Sequence, residues 1–134
     1  MKLNRNFNQR KALRRTQLTS LINFGKITTT EAKAKEVKRL FDRLVGKAKE
    51  ISVHIRRLLA AELASTKSAN RLVDVIAPLF PDKKSGFTTS FKEKIRKGDG
   101  VTMVSIKLLA DLPKPQPKPI PTPAPVKKAK KQPK

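Results

Sequence analysis

Arg5, Arg10, Lys11, Arg14 and Arg15, with Lys2 before them and Lys26 after, stand in a run whose core, Leu3 to Lys26, has no acidic residue. Guanidinium forks match phosphate oxygens two bonds at a time, and an uncompensated cluster of them is chemistry for a polyanion. Asn4, Asn6, Asn8 and Gln9 add neutral donors suited to phosphate, a ribose 2′-hydroxyl or a base edge. The element that must carry these groups is a helix from about Asn8 to Phe24, with Gly25 where a left-handed C-terminal cap belongs. At 100° per residue, Arg10, Lys11, Arg14 and Arg15 fall within about 140° of arc, and Leu18, Leu21 and Ile22 fall on that same arc. One face is therefore cationic in its first turns and apolar in its last. That pattern fits a helix whose tail is packed into a domain and whose head meets a polyanion, with no nearby carboxylate to neutralise its arginines.

The whole chain has the same bias. Its 134 residues carry 32 Lys and Arg against 10 Asp and Glu, a formal charge of +22. Self-repulsion of that size calls for a neutralising partner, nucleic acid before anionic membrane. The absence of cysteine excludes disulfides and thiolate metal sites and points to a reducing interior. No apolar run reaches the roughly 18 residues of a membrane span. A basic, acid-free start also describes organelle transit peptides, but here it is integral to the first helix. No catalytic constellation is visible. His54 is the only histidine and reads as a surface residue, the carboxylates are scattered, and the glycines form no phosphate loop. No cofactor, metal or small-molecule substrate is expected.

Around the first helix the other elements follow from periodicity. Lys26–Thr30 is a short β-branched strand or extended link. Thr28 and Glu31 stand at capping-box spacing, with an adjacent Thr as the alternative N-cap. A long helix runs to about Glu50, its stripe of Val37, Leu40, Phe41, Leu44, Val45 and Ala48 forming the centre of the core. Lys33, Lys38, Arg39, Arg43 and Lys47 lie mostly off that stripe, while Glu31 and Glu36 suit caps and intrahelical pairs. A third helix, about Ser52 to Ala64, sets Ile55, Leu58, Leu59 and Leu63 on one side. Ser68 can cap a fourth helix that runs to about Ala77, before Pro78 and Pro81 interrupt it. Alternation of Phe87, Thr89 and Phe91, and of Val104, Ile106 and Leu108, about the turn Lys97–Gly100 predicts an antiparallel hairpin. With the phenylalanines mostly at core-like positions and no Tyr or Trp, a single-strand stacking platform is not expected.

From Pro113 the composition changes. The last 22 residues hold eight Pro and seven Lys, with every second residue from Pro113 to Pro125 a proline. Such a sequence favours extended polyproline II and a disordered, solvated or loosely RNA-associated tail. Removing its seven charges leaves +15 on residues 1–112, so the basicity belongs mainly to the body. The expected architecture is α+β: one small domain over 1–112 with about four helices, a short N-terminal strand and a C-terminal antiparallel hairpin, then a tail over 113–134.

Asn4-Arg5, Arg10-Lys11-Ala12-Leu13, Leu18-Thr19-Ser20-Leu21-Ile22, Gly25-Lys26-Ile27-Thr28-Thr29-Thr30 and Glu31-Ala32-Lys33-Ala34-Lys35-Glu36 together carry a resemblance. They resemble the bacterial large-subunit ribosomal protein 17 family, through residues 3–50 and more weakly at Leu72–Phe80, Ser85–Thr89 and Gly98–Leu109. The resemblance implies a compact domain of a strand, helices and a terminal hairpin, bound to large-subunit ribosomal RNA beside neighbouring large-subunit proteins, without catalysis. Its setting would be the cytoplasmic ribosome. The family's further basic N-terminal extension is missing ahead of Asn4, its His-Arg is Gln9-Arg10, and its Gly-Tyr-Thr-Arg is Gly86-Phe87-Thr88-Thr89. An RNA contact by an arginine at that last position is therefore not carried over. The RNA-binding residues expected on charge and placement are Lys2, Arg5, Asn8, Arg10, Lys11, Arg14, Arg15, Lys26, Lys33 and Lys38. Replacing Arg10, Arg14 and Arg15 by Ala should then weaken assembly and leave helical content nearly unchanged. A nucleoid-type double-stranded DNA-binding protein is the alternative with the same charge, and a basic amphipathic membrane binder is the more distant one.

Overall fold

The first helix, α1, spans Phe7–Phe24 and stops at Gly25, whose φ of 71° is the left-handed geometry that glycine adopts without a Cβ penalty. The Gly25 N–H donates to the Leu21 carbonyl at 2.8 Å, and the Gly25 carbonyl accepts from the Leu108 N–H at 3.0 Å. That second bond fastens the corner to the sheet. A computed structural model describes residues 2–110 and Leu112; the extended tail expected over 113–134 lies outside the described residues.

Strand β1 (Lys26–Thr30) leads directly into α2 (Glu31–Ala48), then α3 (Val53–Leu63) and α4 (Thr66–Arg71). The chain continues as a π-helical segment, Leu72–Ile76, and a 3₁₀ turn, Ala77–Leu79, before β2 (Thr88–Ile95) and β3 (Thr102–Leu108). The three strands form one antiparallel sheet in the order β1-β3-β2. β3 is thus the central strand, and the expected hairpin gains a third strand from the link after α1. The register Ile27↔Ile106 and Thr29↔Val104 sets these residues on one face. That face covers the α2 stripe, where Val37, Phe41, Leu44, Val45 and Ala48 are buried. Leu18, Leu21 and Ile22 of α1 close the other side, with Leu59 and Leu63 of α3 and Leu72, Val73 and Ile76 beyond them. Each large side chain so buried contributes about 1.5–3 kcal/mol, so the α2 stripe is the axis on which the other elements are hung.

Several local expectations shift. The N-cap of α2 is Thr30, not Thr28, and its side chain makes no capping bond. Ser65 caps α4 by accepting the Ser68 N–H, so that helix starts earlier than expected and Ser68 is buried inside it. Its ladder then widens to the π pattern ahead of Pro78, which has no N–H to give. Leu58 is exposed, because α3 turns only its Leu59–Leu63 edge to the core. Leu40 is half-buried at the rim. Phe87 is fully buried but precedes β2, where its N–H donates to Asp42 Oδ1 at 3.1 Å and its ring meets Phe80 at 5.2 Å. Phe91 pairs in register with Ser105 on the outer face of the sheet and is exposed. The turn closes as expected: the Arg96 N–H donates to the Val101 carbonyl, the Gly100 N–H to the Arg96 carbonyl, and Gly100 has φ 64°.

Candidate nucleic-acid interface

The two halves of α1 differ as its sequence requires. Leu18, Leu21 and Ile22 are buried, while Arg5, Asn8 and Lys11 are exposed and Arg10 is half-buried. The first turn of α1 contains no acidic residue. Cations here sit at the positive end of the helix dipole, an arrangement that costs the isolated helix stability and sums two fields of one sign. The start is instead held by hydrogen bonds. Gln9 Oε1 accepts the Asn6 N–H at 3.2 Å, and Arg10 Nη1 donates to the Arg5 carbonyl at 2.7 Å, bending the arm back on the helix. Lys2, its carbonyl bonded by the Arg5 N–H, is exposed on the same arm.

Arg14 and Arg15 are committed differently. Arg14 Nη2 lies 2.7 Å from Glu36 Oε1, and Glu36 is buried in the α1–α2 contact. Glu36 therefore serves an interhelical pair and not the intrahelical one expected for it, and Arg14 has the neutralising carboxylate that its neighbourhood in sequence lacks. Arg15 donates through Nε to the Glu62 carbonyl at 3.1 Å and through Nη2 to the Ala61 carbonyl at 2.9 Å. These carbonyls belong to the last turn of α3, which has no intrahelical donors left to satisfy them. A guanidinium there also meets the negative end of the α3 dipole. Arg14 and Arg15 are thus the joint between the exposed head and the packed tail.

The remaining site residues divide by position. Lys33 is one helical turn from Glu36, on the α2 flank that faces α1. Lys38 lies on the other flank, in a groove of about 150 Å³ lined by Glu31, Ala34, Lys35, Lys38, Ser90, Lys92 and Val104. Lys26 is on the outer face of the sheet, 3.2 Å from Glu93, whose carboxyl its ammonium holds below the ordinary range. Among the described residues, Arg5, Arg10, Lys11, Lys33 and Lys38 have no acidic side chain at ion-pair distance. So α1 carries Arg10, Lys11, Arg14 and Arg15 with Arg5 on the arm before it, Lys33 stands on the α2 flank beside Glu36, and Lys38 and Lys26 belong to two other surfaces. Lys35 and Lys92 join Lys38 in its groove and were not singled out from sequence. Lys92 reaches it only through sheet register, which no local pattern reveals.

One further departure concerns the aromatic residues. Phe7 is 69% exposed and Phe24 77% exposed, at the two ends of α1, and Phe91 is 52% exposed. Half of the phenylalanines therefore present ring faces to solvent. Phe7 lies on the same arc of α1 as Arg14 and Leu18, but about three turns before Leu18, the first buried residue of the helix.

Among the described residues, no cluster of His, Asp or Glu could hold a metal ion, and no helix is long and apolar enough to cross a membrane. Fold and surface together define a small α+β protein with unpaired cations on and just before its first helix and on its second. A family model described as ribosomal protein L17 matches residues 13–109, and the chain belongs to that family. The chain is 40% identical over 109 residues to the large ribosomal subunit protein bL17 of Thermus thermophilus, covering 81% of this chain and 92% of that one. It is 37% identical over 108 residues to the bL17 of a Thermoanaerobacter species, covering 81% and 96%. To the bL17 of Gemmatimonas aurantiaca it is 40% identical over 107 residues, covering 80% and 91%.

Proposed function

We propose that this chain, a structural constituent of the large ribosomal subunit and not an enzyme, works by neutralising phosphates of folded ribosomal RNA with the head of α1. The observation that carries this reading is the unpaired state of Arg10 and Lys11, and of Arg5 just before them, at the head of a helix whose tail is anchored in the core. Lys2 and Asn8 extend the contact along the arm and first turn. Arg14 and Arg15 hold the helix at its angle and offer their remaining N–H groups, and Lys33 extends the surface onto α2. Lys38, with Lys35 and Lys92, and Lys26 form secondary contacts, the last weakened by its pairing with Glu93. Rim surfaces without unpaired cations are left to neighbouring large-subunit proteins, in the cytoplasmic ribosome.

The mechanism is electrostatic. Each phosphate neutralised releases condensed counter-ions, so affinity falls steeply with salt, by a logarithmic slope of roughly 0.7–0.9 per contact. Titration of the full chain against protein-free large-subunit ribosomal RNA over a salt series tests it. Replacing Arg5, Arg10 and Lys11 by Ala should flatten that slope by about two to three units. An unchanged slope would move the interface elsewhere. Equal affinity and slope on double-stranded DNA would favour a nucleoid-type protein instead.

A further inference from the structure

The head of α1 does more than display charge, because it overhangs a groove. Phe7, Lys11, Arg14, Arg15 and Leu18 of α1, Leu40 of α2 and Glu62 of α3 enclose about 220 Å³. The floor is apolar: the Phe7 ring, Leu18 and the half-buried Leu40. The walls are polar, and three of their four charged residues are cations. Arg14 stands in that wall with its guanidinium held to Glu36 through Nη2, at 2.7 Å.

We infer that this groove receives a single unpaired nucleobase of the ribosomal RNA, splayed out of its strand beside the phosphates that the α1 head neutralises. This rests on the RNA-binding reading above and adds to it a recognition element that is not electrostatic. The occupant is identified by complementarity. A planar, apolar-faced group stacks on Phe7 and on the guanidinium planes of the arginines, as exposed bases do. Its polar edge meets the N–H donors of the cationic walls and an acceptor, Glu62. Its backbone must be anionic, since Lys11 at the mouth has no carboxylate partner. An aliphatic side chain of a neighbouring protein would fill the floor but leave the mouth cation unmet. A base pair with its flanking strands would not enter so small a space.

Phe7 carries no charge and is mostly exposed, so replacing it isolates the base from the phosphates and spares the fold. Full-length wild type, Phe7→Ala and Phe7→Tyr are titrated against protein-free large-subunit ribosomal RNA, with circular dichroism to verify helicity. Ultraviolet crosslinking then maps the contacted nucleotide. Stacking of one base predicts a loss of about fivefold or more for Phe7→Ala, with the salt slope unchanged. Phe7→Tyr should retain the affinity, and the wild-type crosslink should join the α1 head to one unpaired nucleotide and vanish in Phe7→Ala. Wild-type affinity and crosslinking in Phe7→Ala would overturn the inference while leaving the phosphate reading intact. Normal binding to naked RNA with defective entry into assembled subunits would overturn it in favour of a protein occupant. Failure of the wild type itself to bind this RNA would remove the RNA reading and this inference together.

Discussion

The head and tail of α1 lie on one arc of one helix, yet physics treats them oppositely. The tail residues Leu18, Leu21 and Ile22 gain free energy by leaving water and are buried. The head residues Arg10 and Lys11, with Arg5 on the arm before them, would lose it by doing so, and have no ion-pair partner beyond the edge of the core. Between them Arg14 and Arg15, identical in type to their neighbours, have been drawn into the scaffold by Glu36 and by the end of α3. The lesson is that a run of basic residues is not one functional unit. Position relative to the core decides which cations hold the protein together and which remain available to a partner.

The sharpest break in the comparison should come from the tail. Leu21→Ala removes a fully buried side chain of α1 from the core and should cost about 2–5 kcal/mol, read as a lower midpoint in urea unfolding. A cost below about 1 kcal/mol would mean that α1 is not anchored there. Next comes the joint. Arg14→Ala leaves the buried Glu36 carboxylate without its partner and should destabilise by about 1–3 kcal/mol, even with no RNA present. This revises the expectation that Arg10, Arg14 and Arg15 could be removed together with helical content nearly unchanged, since Arg14 and Arg15 bond α2 and α3. Truncating the head, by contrast, should leave stability within about 0.5 kcal/mol. The combined Arg5→Ala, Arg10→Ala and Lys11→Ala variant should melt like wild type, or slightly above it, because it relieves repulsion at the positive end of the dipole. A large drop in its melting temperature would erase the distinction between head and joint.

The smallest effect concerns a charge that is paired locally. Arg96 donates to Asp99 Oδ1 at 2.8 Å and holds its carboxyl at about 2, against an ordinary value of 3.8. A carboxyl depressed in the folded state stabilises above its unfolded value and loses that contribution as pH falls through the folded one. The hairpin turn should therefore be unchanged down to about pH 4 and loosen between about pH 4 and 2, seen in amide exchange at Val101, whose N–H bonds Asp99. Loosening already near neutral pH would show that the ion pair does not close the turn.

Elements built on local rules were legible. The α1 span and its glycine cap, the α2 stripe, the third helix and the turn at Lys97–Gly100 all follow from period, capping or turn chemistry. The α+β class follows from the change of period after Phe80. Less legible was anything that required two distant segments. That β1 completes the sheet depends on pairing Lys26–Thr30 with Met103–Lys107, and both segments are too short to announce a partner. The exposure of Phe7, Phe24 and Phe91 was missed because a hydrophobic side chain at core-like spacing carries no mark of where the core ends. Glu36 was assigned to its own helix because the arginine that it meets lies 22 positions earlier and a helix away.

The sequence by itself determined an acid-free cationic helix joined to an apolar tail, the central α2 stripe, a strongly basic body and the family likeness, since charge and period are properties of neighbouring residues. Only the tertiary structure decided which of those cations remain unpaired, because that depends on where α2 and α3 place one carboxylate and two terminal carbonyls. It also decided that Phe7, Leu18 and Leu40 share a groove. No residue's type encodes such a space; it exists where three helices fail to fill the volume between them.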